Sequence, residues 1–111
     1  IDDTHIKAGL QSFHYQRWEE AIYHWQQVAN EEAKGERLKV KGKDNKTAAV
    51  AAANIAIAYE MLGDYSSACD YASEASRLFG ALKTAWARQQ QVNIRYYLEQ
   101  LRAKKAREGA R

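Results

Sequence analysis

Three histidines, one cysteine and two adjacent pairs of glutamates carry whatever metal-binding or acid–base chemistry this chain offers, and their spacing assembles neither. His5, His14 and His24 do not stand at metal-ligand spacing, and no cysteine or paired carboxylate accompanies them. They read as surface or boundary histidines. Cys69 follows Ala68 on an apolar stripe, where a lone thiol acts as a small hydrophobe rather than a nucleophile. Being single, it can close no internal disulfide. Glu19-Glu20 and Glu31-Glu32 are neighbours along helical stretches, so their carboxylates point apart and read as solvated faces. No glycine-rich phosphate loop and no nucleophile elbow occurs. The expectation is a non-enzyme with no catalytic residue, no metal and no cofactor.

Charge is the remaining chemical signal. Residues 34–46 hold six cations (Lys34, Arg37, Lys39, Lys41, Lys43, Lys46) against Glu36 and Asp44, a net +4. Residues 102–111, with Arg102, Lys104, Lys105 and Arg107 among them, also sum to +4, so a chain of net +3 leaves −5 for the rest. Such a basic patch suits nucleic acid or an anionic membrane surface. No aromatics are interleaved with the cations, which argues against nucleic acid and for solubilising charge.

The elements that position these residues are helices. At 111 residues the chain is one domain's worth. Proline is absent, and Ala, Gln, Glu, Lys and Arg lose little rotamer freedom in a helix. Asp2, Asp3 and Thr4 offer an N-cap, and Ile6, Gly9, Leu10 and Phe13 follow at helical spacing. A second helix carries Trp18, Ala21, Ile22, Trp25, Val28 and Ala29 on one face and continues to about Ala33. The stretch to Lys46 reads as a solvated loop. Thr47 then caps a helix over Ala48–Leu62, Gly63-Asp64 turns, and a helix runs from Tyr65 to about Phe79. Gly80 is expected to take the left-handed conformation that ends it. A last helix spans about Ala81–Arg107, with Leu82, Trp86, Ile94, Tyr97 and Leu101 on one face and Val92 and Tyr96 on another. No apolar run is long enough to span a bilayer.

Two of these segments share one spacing. Laying Ala21 on Ala68 brings Gly9 onto Ala56 and Trp18 onto Tyr65. Each unit resembles a tetratricopeptide repeat, a helix-turn-helix with small residues where helices touch and aromatics between them. In the second unit Ala56, Tyr59, Gly63-Asp64-Tyr65, Ala68 and Ala75 stand at the motif positions. In the first, Gly9, Ala21 and Trp25 match, while Ser12 replaces the tyrosine and Val28 the second alanine. Ala21 and Ala68 lie 47 residues apart instead of about 34, so the inter-repeat segment is enlarged. The resemblance implies an all-α, right-handed superhelical stack of about five helices: two tetratricopeptide-like hairpins and a long C-terminal capping helix. Unit one falls at about 4–33, the basic insertion at about 34–46, unit two at about 47–79 and the cap at about 81–107.

Tetratricopeptide domains bind peptides in a groove lined by the first helix of each unit. In this register the groove is Ile6, Leu10, Phe13, Val50, Ala53, Ile57 and Glu60, which is mainly apolar and suits a hydrophobic segment or amphipathic helix. Asn54 and Arg88 stand at two positions of a carboxylate clamp, but Ile6 and Leu10 occupy those where it needs Lys and Asn. A carboxylate buried without those donors is costly. The expected function is therefore protein–protein interaction or scaffolding with a protein or peptide partner. The alternatives are the basic surface binder and a structural domain that packs on its parent chain or self-associates through Val92 and Tyr96.

The Trp-rich first unit, the Asn54-Ile55-Ala56-Ile57-Ala58-Tyr59-Glu60 helix and the paired tyrosines Tyr96-Tyr97 before Leu101-Arg102 give a closer resemblance. Their order is similar to the C-terminal part of a family of Bacteroidetes lipoproteins with no assigned activity. That resemblance implies an excised domain of a cell-envelope protein, periplasmic or outer-membrane-associated, whose parent carries a lipid anchor. Without it, a domain free of disulfides suits the cytoplasm.

Overall fold

Alanine dominates the helix at the centre of this protein, and the fold follows from how closely other helices can approach it. The structure is a computed structural model that describes residues 9, 11, 17–37 and 43–109, without the side chains at 28–37 and 43–45. Four helices account for nearly all of it: α1 (Trp18–Arg37), α2 (Lys43–Met61), α3 (Tyr65–Leu82) and α4 (Ala85–Gly109). The described residues contain no strand, so the fold is all-α. Gly9 and Gln11 are also helical; the rest of the expected first helix lies outside the described residues. Each helix packs on the next in chain order.

The faces of α2 divide its neighbours between them. Ala51, Ile55 and Ala58 meet Ala21, Ile22 and Trp25 of α1, flanked by Trp18, Tyr59 and Tyr71. Ala56 lies with Ala68, Cys69 and Ala72 of α3 and Leu98 and Leu101 of α4. Ala49 and Ala52 join Ala75, Phe79 and Ala87 in a third cluster. Ala21, Ala56, Ala68 and Ala75, the small residues of the expected repeat, are all fully buried. A Cβ on Gly9 would come within 2.7 Å of the Trp25 indole nitrogen, so only glycine lets the indole lie there. Cys69 is buried and in no disulfide, packed as a small hydrophobe with Ala68 and Ala72.

Helix ends depart from expectation at two places. The basic stretch is not mainly loop: α1 runs to Arg37 and α2 begins at Lys43, so Thr47 lies inside a helix rather than capping one. Lys, Glu and Arg are good helix formers when no proline intervenes, and charge alone does not stop a helix. Gly80 does not terminate α3. The helix continues to Leu82, and Lys83 takes the left-handed conformation with φ 55°. Gly80 serves instead at a close crossing, where a Cβ would lie 2.5 Å from Gln91 Nε2. That Gln91 amide donates to the Ser76 carbonyl at 2.9 Å, tying α4 to α3.

The remaining turns follow the sequence chemistry. Gly63 has φ 79°, a conformation glycine adopts without steric cost. Asp64 caps α3, accepting from the Ser67 backbone N–H at 3.0 Å and the Ser67 hydroxyl at 2.8 Å. At the start of α4, Thr84 Oγ1 accepts from the Ala87 N–H at 3.1 Å.

Candidate interaction surface

Glu60, near the end of α2, links that helix to α4. Tyr97 Oη of α4 donates to Glu60 Oε1 at 2.8 Å, and Lys104 Nζ donates to Glu60 Oε2. Burial chiefly, then the Glu60 carboxylate, pushes the Tyr97 phenol well above its ordinary range. The same carboxylate holds the Lys104 ammonium above its own. One residue before Glu60, Tyr59 stacks on Tyr71 at 5.6 Å, and Gln26 of α1 donates to the Tyr71 hydroxyl at 3.1 Å. Burial and then the neighbouring Tyr71 raise the Tyr59 phenol.

The other displaced groups are local. Bonds from the Ser67 backbone and hydroxyl lower the Asp64 carboxyl. On the exposed side of α3, Arg77 pairs with Glu74 and lowers its carboxyl mainly through their hydrogen bonds.

Several large apolar side chains reach solvent, among them Tyr23, Leu62 and two pairs at helical spacing. On α2, Ile57 is 37% and Met61 55% exposed; four residues apart, they share one face, and the half-buried Val50, Ala53 and Asn54 precede them. On α4, Val92 and Tyr96 are exposed at 44% and 66% and again four residues apart. Trp86 is partly exposed but anchored, its ring edge-on to Phe79 at 5.6 Å with Lys46 Nζ 4.5 Å from its centroid.

The sequence-predicted groove is brought together in part. Ile6, Leu10 and Phe13 lie outside the described residues. Val50 and Ala53 pack partly against the Ala49–Phe79 cluster, and Ile57 opens to solvent. Glu60 belongs to the α2–α4 link. Met61, four residues after Ile57 on the same face, is exposed beside it.

Of the sequence-predicted basic patch, the side chains of Lys34, Arg37, Lys39, Lys41 and Lys43 lie outside the described residues. Lys46 is engaged with Trp86 and Lys104 with Glu60. Arg102, Lys105 and Arg107 are exposed. His24 lies edge-on to Tyr23 at 5.2 Å.

Among the described residues no group of His, Cys, Asp or Glu is placed to hold a metal ion, and no helix is long and apolar enough to cross a membrane. No curated protein and no solved structure matches the chain significantly. Residues 7–103 match the model of a domain of unknown function, and the protein belongs to that family, DUF6340.

Proposed function

We propose that this domain is a non-catalytic protein-interaction or scaffolding module, built as two tetratricopeptide-like hairpins closed by a capping helix. The observation that carries the reading is the Ile57–Met61 row, apolar and open to solvent on a helix whose other faces are packed. Contiguous exposed apolar side chains on an otherwise well-packed domain mark interaction sites. An amphipathic helix or hydrophobic segment fits such a surface by laying its own apolar face along it.

The displaced titratable groups serve the packing of the fold. Each displaced pKa has a structural partner: Tyr97 and Lys104 with Glu60, Tyr59 with Tyr71, Asp64 with Ser67, and Glu74 with Arg77. Tyr97 and Lys104 meet on the one Glu60 carboxylate, which ties α2 to α4. The lipoprotein resemblance carries the cellular part of the proposal, a cell-envelope parent with a lipid anchor.

The test is quantitative capture by the domain, with Ile57→Asp compared against the unaltered protein. The variant retains its helical circular dichroism, since Ile57 is already partly exposed, and loses the captured protein. Equal capture by a folded variant contradicts the reading.

A further inference from the structure

Arg88, Arg95 and Arg102 recur every seven residues along α4. At about 1.5 Å per residue they form a row of guanidinium groups about 10.5 Å apart and about 21 Å long. All three are exposed, and none is ion-paired with a described residue. A groove of about 430 Å³ between α3 and α4 is lined by Ser73, Ser76, Arg95, Leu98, Glu99 and Arg102. Beside it on the same outer side run Val92 and Tyr96, 44% and 66% exposed. No described helix packs beyond α4.

We propose that this face of α4 docks an acidic amphipathic helix from a partner protein, in the position the next helix of a stack would occupy. Charge complementarity selects the occupant. Unpaired arginines at heptad intervals match carboxylates at the same intervals on a helix packed at a shallow angle, whose ridges repeat with the same rise. Arginine favours such a partner because its planar fork takes a carboxylate through two parallel hydrogen bonds. Val92 and Tyr96 supply the apolar strip such a helix needs, and the tyrosine brings rigid contact area. Glu99 within the row disfavours a phosphate-bearing surface, which it would repel, but accepts a lysine on a helical partner.

The inference rests on the interaction-module reading and uses a different face, so the two fail separately: Ile57→Asp leaves binding here unchanged. The probe is a labelled three-heptad helical peptide with leucines along one face and a glutamate at every seventh position beside them. Its control is an isomer with the glutamates on the opposite face. Fluorescence anisotropy on the whole chain at low salt is expected to show the peptide binding at least about tenfold more tightly than the isomer. Arg95→Glu with Arg102→Glu, both on the exposed surface, removes that binding, and a matched peptide carrying lysines restores it. Absence of binding, equal binding of the two isomers, or indifference to the arginine changes overturns the proposal. So does tighter binding of phosphatidylserine vesicles or a DNA duplex, or a dimer abolished by Tyr96→Asp, which would make a second copy the occupant.

Discussion

The Tyr97 hydroxyl donates to Glu60 Oε1 at 2.8 Å, joining two helices that are not consecutive in the chain. Lys104 takes the other oxygen of the same carboxylate, so one acidic residue of α2 fixes the position of the second half of α4. A hydrogen bond to a charged group contributes about 1.5–3 kcal/mol. Tyr97→Phe is expected to lower stability by an amount in that range, read from the shift of a urea midpoint at constant slope. Glu60→Gln is expected to act in the same direction. If the two changes add fully, the residues are not coupled.

Alkaline stability tests the same node. The folded-state pKa of Tyr97 is raised, as are those of Tyr59 and Lys104. Between the unfolded and folded values the unfolded chain has lost protons that the native state keeps, so stability falls as pH rises. The protein is therefore expected to lose stability from about pH 10 upward. Tyr97→Phe is expected to flatten that decline. A decline of the same slope in the variant would show that Tyr97 does not titrate against Glu60.

Asp64 governs the opposite limb. Its carboxyl is lowered by the Ser67 hydrogen bonds, so its contribution is complete above the unfolded value near about 3.9 and is lost as pH falls through the folded one. Asp64→Ala is expected to cost about 1 kcal/mol at neutral pH. The variant is also expected to lose less on going to low pH than the unaltered protein. Thermal melts from pH 7 down to pH 3 measure both effects.

Gly9 and Gly80 differ in what would meet an added methyl group. At Gly9 the obstacle is the buried Trp25 ring at 2.7 Å; at Gly80 it is the end of the flexible Gln91 side chain at 2.5 Å. Gly9→Ala is therefore expected to cost about 1–3 kcal/mol through overpacking. Gly80→Ala gains about 1 kcal/mol of helix propensity and gives up the Gln91–Ser76 bond, leaving a small net change. In a Gln91→Ala background, Gly80→Ala is expected to stabilise. Chemical denaturation of the single and double variants decides this.

Lys83 adopts φ 55° at the end of α3, a conformation costing an L-residue about 1–2 kcal/mol. Lys83→Gly is expected to raise stability by about 0.5–1 kcal/mol, less than the full relief because glycine is freer when unfolded. A lowered melting temperature would mean that the Lys83 side chain contributes contacts of its own.

Much of the helical packing was legible in the sequence because it depends on residue size at fixed spacing. Ala21, Ala56, Ala68 and Ala75 occur where the repeat spacing requires small residues, and each is fully buried. The ends of the helices were harder to read. Gly80 has the local chemistry of a terminator, but crossing geometry with Gln91 claims it, and that geometry depends on residues of another helix. The lysines from 34 to 46 suggested a loop because charge and helix propensity point different ways in such a stretch. Glu60 read as a groove residue because its partners Tyr97 and Lys104 are distant in sequence, and spacing along one helix carries no information about them. Met61 and the arginine row of α4 were within reach of periodicity alone.

If the open face of α2 is a protein-binding surface, a photocrosslinking residue in place of Met61 will lie against the partner. In the full chain expressed in its own cells, position 61 is predicted to yield one discrete crosslinked partner. The same group in place of Asp70, exposed on α3, is predicted to yield none. A folded protein that gives no product from position 61, or the same products from both positions, would show that this face of α2 binds no partner.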